Sequence, residues 1–323
     1  MNDRAVSLLE QYDIVVEQTR KGRGAILCET DRGLLIFKEY GGNPDRLQVE
    51  NALLCLIEQK GLVHAECLIE TKEGELYVKD HEDIKYILKS YPDARECNIR
   101  EKGECLATAA LLAKLHMCTQ DGIPDVEEKA FSILDEYEKR NREMKKIRKF
   151  LHGRSQKTWF EIALMECIDR FCEQGLEAAE GWKAYRTEAR AQDIKSFCHG
   201  DYQYHNLLFG MGSWHLVNFE RCIQDDPVRD LYLLLRKLLE KSNWSKNFGY
   251  ELLNAYESIR PLSAVSRMDL YYRLFYPEKF WKIANFYYNS GKAWIPGRNQ
   301  EKLEKLLEQE KAKREFLKDV FSV

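Results

Sequence analysis

The chain has 323 residues, of which 44% are hydrophobic and 32% are charged, so it is long enough to bury a substantial core and has the balance of a folded globular protein. Lys and Arg total 50 against 53 Asp and Glu, and this net charge of −3 argues against a nucleic-acid partner. No uninterrupted apolar run reaches the roughly 18 residues of a membrane span, and the first residues lack the basic-then-apolar order of a signal peptide. We therefore expect neither nucleic acid nor membrane as a partner.

The ten cysteines are spread over the whole chain, and none forms a Cys-x-x-Cys pair, so a zinc site is not expected. Most of them have apolar neighbours in sequence, where a reduced thiol behaves as a small hydrophobic group. This usage predicts a reducing compartment, the cytoplasm. Cross-linking at a later stage remains open.

The first 90 residues are predicted to be rich in strands. Three strands joined by short turns are expected within residues 13–40, and two more at 75–79 and 85–90. Between them, Pro44 to Lys60 has helical spacing, with Gly61 as its C-cap. Residues 1–90 are therefore predicted to form an N-terminal lobe made of a five-stranded antiparallel sheet and one helix.

From about residue 101 the pattern becomes helical and continues to the carboxy terminus. Helices are expected around 106–116, 127–150, 157–180, from 230 onward and over 300–320. The segment 199–220 interrupts them with two short strands flanking Gly-Met-Gly-Ser, which predicts a hairpin. The chain is thus predicted to be α+β, with a helical C-terminal lobe over 91–323.

The stretch most indicative of chemistry is His-Gly-Asp201-Tyr-Gln-Tyr-His-Asn206. Phosphoryl transfer needs a carboxylate that orients the attacking hydroxyl, metal ligands that neutralise phosphate charge, and a cation on the phosphates. Asp201 is the predicted carboxylate, and Asn206 offers an oxygen to a metal. Lys38, on the third strand, is predicted to hold the phosphates, with Glu50 of the first helix as its ion-pair partner.

His-Gly-Asp-x-x-x-x-Asn, followed by a hairpin and Val-Asn-Phe-Glu, resembles the catalytic segment of the protein-kinase-like superfamily, nearest its aminoglycoside and choline phosphotransferase branch. The tail, Tyr-Pro-Glu-Lys-Phe-Trp from residue 276 and Lys-Ala-Trp-Ile-Pro-Gly from 292, resembles that of the CotS family of spore coat proteins. The resemblance implies a bilobal kinase-like fold, with ATP and Mg²⁺ as cofactors. It also implies that the adenine base of ATP would lie near the Leu88–Tyr91 connection, with Leu88 and Ser90 as cofactor-binding residues.

The resemblance further implies other spore coat proteins as partners, and residence in the mother-cell cytoplasm and then in the spore coat. One departure stands out: Asn218 replaces the Asp that is the main anionic metal ligand of the superfamily. Asn206, Asn218 and Glu220 are the predicted metal ligands, and the loss of one carboxylate predicts weakened Mg²⁺ binding. The glycine-rich cover is also reduced, to Gly22 and Gly24.

Two functions of different classes follow. The first is a coat protein with a kinase-like fold that is catalytically weak or silent. The alternative is an ATP- and Mg²⁺-dependent phosphotransferase acting on the hydroxyl of a small molecule, so enzymatic activity is left open. The identity of the phosphate acceptor is not encoded in any spacing.

Several features have a structural interpretation beside the functional one. Asp201 could merely cap the turn before the hairpin, and His116 and His199 are better explained by packing than by ligation. Asp230 is expected to fix the catalytic loop through backbone contacts. The basic run 139–149 is a solvated helix face or a surface for an anionic partner, and the aromatic residues after 271 are core or a coat-assembly surface.

Overall fold

The structure is a computed structural model that describes residues 3–22, 24–120, 132–189, 196–290 and 297–322. Contacts group the chain into two compact units. Unit 1 comprises Met1–Lys129, Ile194–Leu234 and Ala255–Arg260, and unit 2 comprises Ala130–Asp193, Leu235–Asn254 and Pro261–Val323. This grouping is not contiguous in sequence, and the lobe boundary at residue 90 stays a prediction. Among the described helices, none has the length and apolarity needed to cross a bilayer.

The strands lie in the first half of the chain and around the predicted hairpin. In chain order they are β1 (Val16–Lys21), β2 (Ala25–Thr30), β3 (Gly33–Glu39), β4 (His64–Ala65), β5 (Val78–Lys79), β6 (Lys85–Ser90), β7 (Arg95–Glu96), β8 (Ser196–Cys198), β9 (Leu207–Gly210), β10 (Ser213–Leu216) and β11 (Ile223–Asp225).

Helices make up most of the remainder. They are α1 (Pro44–Lys60), α2 (Lys102–Cys118), α3 (Ile133–Gly153), α4 (Trp159–Glu188), α5 (Val228–Lys241), α6 (Lys246–Glu257), α7 (Ala264–Phe275), α8 (Glu278–Asn289) and α9 (Gly297–Phe321). Short 3-10 helices span Asp3–Gln11, Tyr204–Asn206 and Phe219–Arg221. The predicted α+β class is confirmed.

The main sheet of unit 1 has the order β1-β2-β3-β6-β5 with antiparallel pairing throughout, as expected from the sequence. Strand β5 is shorter than predicted: Glu75 bonds with Thr71 in a turn, and pairing with β6 is confined to Val78 and Lys79. One face of the sheet is a buried apolar cluster that includes Phe37 of β3 and Leu88 of β6. Since side chains alternate along a strand, Lys38 and Lys89 point to the opposite face.

Helix α1 has the predicted bounds, and its ends show why. The Asn43 side chain accepts a hydrogen bond from the Asp45 amide at the N-terminus, and Pro44 occupies the first turn, where no amide donor is missed. Gly61 ends the helix in the left-handed conformation, with φ of 64°. These caps fix the position of Glu50 at mid-helix, where its side chain is fully buried.

Two smaller sheets hold the hairpin segment. One has the order β4-β10-β9-β7, and the other pairs β8 with β11. Because β8 precedes the loop 199–206 and β11 follows the hairpin, the pairing of β8 with β11 brings both ends of the segment together. The predicted hairpin is confirmed as β9 and β10, paired from Gly210–Ser213 to Leu207–Leu216.

Unit 2 is helical, with a core contributed by α3, α4, α8 and α9. Helix α3 begins at Ile133, and the predicted residues 127–131 lie outside the described ones. Tyr276, Phe280 and Tyr287 are each at most 2% exposed, which favours the core interpretation of the aromatic tail. The basic residues of the run 139–149 mostly lie on the exposed face of α3, as a solvated face requires. The Lys-Ala-Trp-Ile-Pro segment from 292 lies outside the described residues.

Candidate active site

The loop that carries Asp201 is anchored through its backbone. The amides of His199 and Gly200 donate to the two carboxylate oxygens of Asp230 at 2.6 and 2.9 Å, so Asp230 acts as expected. Gly200 has φ of +77°, and a Cβ there would lie 1.9 Å from the Arg221 carbonyl oxygen. Only glycine fits this position, because any side chain would meet backbone.

Histidines near this loop are structural. His199 is buried, with Nε2 3.0 Å from the Val217 carbonyl oxygen. His116 is also buried, with Nδ1 2.8 Å from the Tyr256 hydroxyl. Both contacts agree with the packing interpretation. His205, by contrast, is exposed, and its Nδ1 lies 3.0 Å from Glu96 Oε2.

A continuous chain of hydrogen bonds joins the predicted site residues. Lys38 Nζ donates to Asn218 Oδ1 at 2.9 Å, and Asn218 Nδ2 donates to Asn206 Oδ1 at 2.8 Å. Asn206 Nδ2 then donates to the Asp201 carbonyl oxygen at 2.8 Å. The structure thus brings together the lysine, both amides and the catalytic-loop acid, although the sequence separates the first and second by 180 positions.

Asp201 itself keeps a partly accessible carboxylate. Its side chain is 25% exposed, Oδ1 accepts from Gln203 Nε2, and Oδ2 lies 3.9 Å from Arg221 Nη1. The carboxylate therefore does not serve as the cap of a buried turn. A carboxylate held by an anchored loop and open to solvent can orient an incoming hydroxyl.

Asn218 has the left-handed backbone conformation, with φ of 68° and ψ of 57°. Asparagine tolerates this region better than most residues do. The conformation places Glu220 within the 3-10 turn that follows, where it contacts both Lys38 and Lys89. Burial alone would raise the pKa of Glu220, but Lys89 and Lys38 outweigh it and lower the pKa to about 2.

Lys89 lies in a cage of three carboxylates that sequence analysis missed. Its side chain is fully buried, and Nζ donates to Glu50 Oε1 at 2.5 Å, Glu66 Oε1 at 2.7 Å and Glu220 Oε1 at 2.8 Å. Burial acts to lower the pKa of Lys89, but the three carboxylates outweigh it and the pKa is raised. All three ammonium protons are used, so Lys89 is an internal cation.

The predicted ion pair between Lys38 and Glu50 is wrong. Glu50 pairs with Lys89, and Lys38 pairs with Glu220. Glu50 has one oxygen without a hydrogen-bond partner among the described residues. Burial raises its pKa to about 7, against the attraction of Lys89. The physical reason is that Lys89 lies on the same face of the sheet as Lys38 and occupies the position next to the Glu50 carboxylate.

The structure does not bring the side chain of Leu88 to this site. Leu88 pairs with Phe37 across the sheet and belongs to the apolar cluster on the face opposite Lys38. Ser90 is committed to neighbouring backbone: its hydroxyl accepts from the Cys67 amide, and its own amide donates to the Cys67 carbonyl. The Tyr91 amide donates to the Leu34 carbonyl. A role for Leu88 and Ser90 in holding a base remains a prediction, and it would not involve the Leu88 side chain or these two amides.

Two groups of potential ligands for a metal lie within the described residues. Glu50, Glu66 and Glu220 have oxygens within 4.8 Å of one another, but Lys89 is the cation that they share. His116, Cys198 and Asp230 form the second group. There Asp230 accepts from two loop amides, and burial raises the pKa of the Cys198 thiol well above its usual value, which opposes formation of the thiolate that a metal would need.

The predicted magnesium ligands are a poor fit for a divalent cation. Asn206 and Asn218 are neutral, and the oxygen of each already accepts a hydrogen bond from protein. Glu220 is the one carboxylate of the set, and two lysines contact it. Mg²⁺ is usually bound through one or two carboxylates plus substrate phosphates and retains several waters. This donor set offers the ion one carboxylate, which two lysines already contact.

Comparison with known proteins places this site in a family. The family model described as "Spore coat putative kinase YutH" matches residues 5–320. Spore coat protein S of Bacillus subtilis (strain 168) is 24% identical over 315 residues, covering 94% of this chain and 88% of the relative.

Among solved structures, an aminoglycoside phosphotransferase from Alicyclobacillus acidocaldarius has a TM-score of 0.83 at 19% identity, covering 99% of this chain and 95% of the other. Amicoumacin kinase hAmiN, solved with AMP-PNP and Ca²⁺, has a TM-score of 0.65 at 12% identity, covering 99% and 94%. At these identities the likeness shows the fold, which confirms the kinase-like prediction. The resemblance to spore coat proteins is also confirmed, and the chain belongs to the family of spore coat putative kinases.

Proposed function

We propose that this chain is a component of the spore coat whose kinase-like site binds nucleotide and transfers phosphoryl groups slowly or not at all. The observation that carries the proposal is the state of residue 218. An amide stands at the position of the usual metal-binding carboxylate, and its oxygen accepts a hydrogen bond from Lys38 at 2.9 Å. The group that would normally anchor a metal is neutral and already engaged.

Phosphoryl transfer depends mainly on positioning and on neutralising charge as the γ-phosphoryl group moves. Metal ions supply much of that neutralisation in kinases. A site whose one predicted carboxylate ligand is already paired with two lysines supports nucleotide binding better than turnover. Lys38 remains available for phosphate, because an ammonium has three donors and it makes two contacts among the described residues.

Membership of the family and the likeness to spore coat protein S support assembly into the spore coat, with other coat proteins as partners. Synthesis would take place in the mother-cell cytoplasm. The nucleotide proposal is supported by the kinase neighbour solved with AMP-PNP and Ca²⁺.

A second candidate function is a small-molecule phosphotransferase, which the anchored loop favours. Asp230 holds the loop through two amides, and Asp201 presents an accessible carboxylate beside Asn206. A protein with a purely structural role does not require this arrangement. The acceptor in this case would be a hydroxyl of a small molecule.

The test combines a binding readout with a turnover readout on the full chain. ATP at 100 times its Kd should raise the free energy of unfolding by about 2.7 kcal/mol. Thermal or chemical denaturation measures this increase. ATP turnover should be low and should not fall further in Asp201→Ala. Absence of any shift contradicts nucleotide binding. Rapid turnover that is abolished by Asp201→Ala favours the phosphotransferase instead.

A further inference from the structure

The side chains around Asn218 suggest which form of nucleotide the site takes. Each residue predicted to bind metal already accepts a protein donor on a side-chain oxygen: Asn218 Oδ1 accepts from Lys38, Asn206 Oδ1 accepts from Asn218, and Glu220 Oε1 contacts two lysines. The ammonium of Lys38 contacts two of the three predicted metal ligands, Asn218 and Glu220. We propose that this chain binds nucleotide without a divalent cation, with Lys38 providing the positive charge that a metal would otherwise supply. The inference rests on the proposed function, nucleotide binding.

The charge balance around Glu220 is the second step. Were a divalent ion to take Glu220 as a ligand, it would come close to two ammonium groups, since Lys89 donates to the same oxygen at 2.8 Å. Lys89 is fully buried and cannot move to solvent without leaving Glu50 and Glu66 unpaired. Like charges at such separations repel strongly in a partly desolvated site. The two ammonium groups therefore oppose metal binding through Glu220.

The cage also explains why Lys38 is free for this role. Because Glu50 is held by Lys89, it does not tie down Lys38. Lys38 instead contacts Asn218 and Glu220, and its side chain is 14% exposed. Among the described residues its third ammonium proton has no partner, so a phosphate oxygen can accept it without displacing Asn218. The ligand class is thus a metal-free nucleoside di- or triphosphate.

Calorimetric titration of ATP into the full chain tests this directly, once with excess EDTA and once with Mg²⁺. The inference predicts that ATP binds in EDTA at least as tightly as it does with Mg²⁺, because Mg²⁺ competes with Lys38 for the phosphate oxygens. If Mg²⁺ tightens binding about tenfold or more, equal to about 1.4 kcal/mol, the inference fails while the proposed function stands. If ATP binds in neither buffer, the proposed function fails and the inference fails with it.

Two variants separate the roles of residues 38 and 218. Lys38→Met should lose ATP binding in EDTA, and unchanged binding there would overturn the assignment of Lys38. Asn218→Asp should convert the site to one that needs metal, because a carboxylate cannot donate to Asn206 but can bind Mg²⁺. Its binding should weaken in EDTA and strengthen with Mg²⁺, and a variant indifferent to Mg²⁺ would contradict the argument.

A matched control for the second variant lies in unit 2. Asn289→Asp makes the same chemical change at an exposed position, where Nδ2 likewise donates to a neighbouring amide oxygen, that of Asn285, at 2.9 Å. This variant should bind ATP as the wild type does in both buffers. A response to Mg²⁺ there equal to that of Asn218→Asp would show that the effect is not specific to the site.

Discussion

Replacing Lys89 with methionine tests the carboxylate cage most severely. Methionine keeps much of the length and volume of the stem but removes the charge that Glu50, Glu66 and Glu220 share. Removing one partner of a buried ionic group leaves uncompensated charge and typically costs about 3–5 kcal/mol. The cost should lie within that range, because Glu50 and Lys89 have fully buried side chains. Two mitigating contacts remain: Glu66 Oε1 also accepts from the Phe219 amide at 2.9 Å, and Glu220 also pairs with Lys38.

The loss should depend on pH in a defined direction. Lys89 lowers the pKa of both Glu50 and Glu220, so without it the folded-state pKa of these two carboxyls rises. Folded protein then binds more protons than unfolded protein does, and the free energy of unfolding of Lys89→Met should increase as pH falls from 8 toward 5. Adding Glu50→Gln to Lys89→Met should recover part of the loss, because it removes one of the unpaired charges.

Chemical denaturation followed by circular dichroism, together with hydrogen exchange of the β3 and β6 peptides, measures the effect. Lys79→Met on neighbouring β5 is the matched control, because Lys79 pairs with Asp83 at an exposed position and should matter little. A loss for Lys89→Met no greater than that for Lys79→Met, and independent of pH, would refute the cage as a stabilising unit.

Three further outcomes follow from single contacts. Glu50→Gln should flatten the dependence of stability on pH: the folded pKa of Glu50 is raised to about 7, so its contribution is full below its unfolded pKa and is lost as pH rises through about 7, by about 3 kcal/mol in all. If urea titrations give the wild type a free energy of unfolding that does not change between pH 5 and 8, this reasoning is contradicted. Gly200→Ala should lower the melting temperature more than Gly212→Ala, which has a similar positive φ but open space, and equal shifts would exclude the clash with Arg221. Asp230→Asn should raise the exchange rates of the loop amides at residues 199 and 200, because an amide offers one acceptor oxygen where the carboxylate offers two, and unchanged protection would rule out this anchoring.

The backbone of this fold was largely predictable, because its signals are local. Helix α1 shows the Asn-Pro start and glycine stop in its own sequence, and the hairpin is marked by the Gly-Met-Gly-Ser turn between apolar strands. The predictions for Asp201, Asn206 and residue 218 rest on their short spacing around that hairpin. Each of these predictions required only neighbours within about one turn or one strand pair.

The ion pairs were not predictable in the same way, because they depend on which of two lysines comes closer. Lys89 follows Ile87 and Leu88 in an apolar strand, and a charged residue in that setting is rarely buried without partners. That signal was present and missed, as was Glu66 between Ala65 and Cys67.

Leu88 shows what strand register adds to a prediction from sequence. Its position in the strand was predicted well, but its cross-strand pairing with Phe37 puts its side chain on the face opposite Lys38. Register decides the face, because side chains alternate with a period of two. Applying the alternation from Lys38 through the antiparallel pairing would have separated the two residues.

A structure of the full chain soaked with a hydrolysis-resistant ATP analogue in the presence of EDTA tests the central claim most directly. Our account predicts phosphate oxygens within hydrogen-bond distance of Lys38 Nζ, with Asn218 still bonded to Asn206 and Lys89 still held by its three carboxylates. A nucleotide whose phosphates lie away from Lys38, or one that enters this site only when a divalent ion bridges Glu220 to the phosphates, would contradict it.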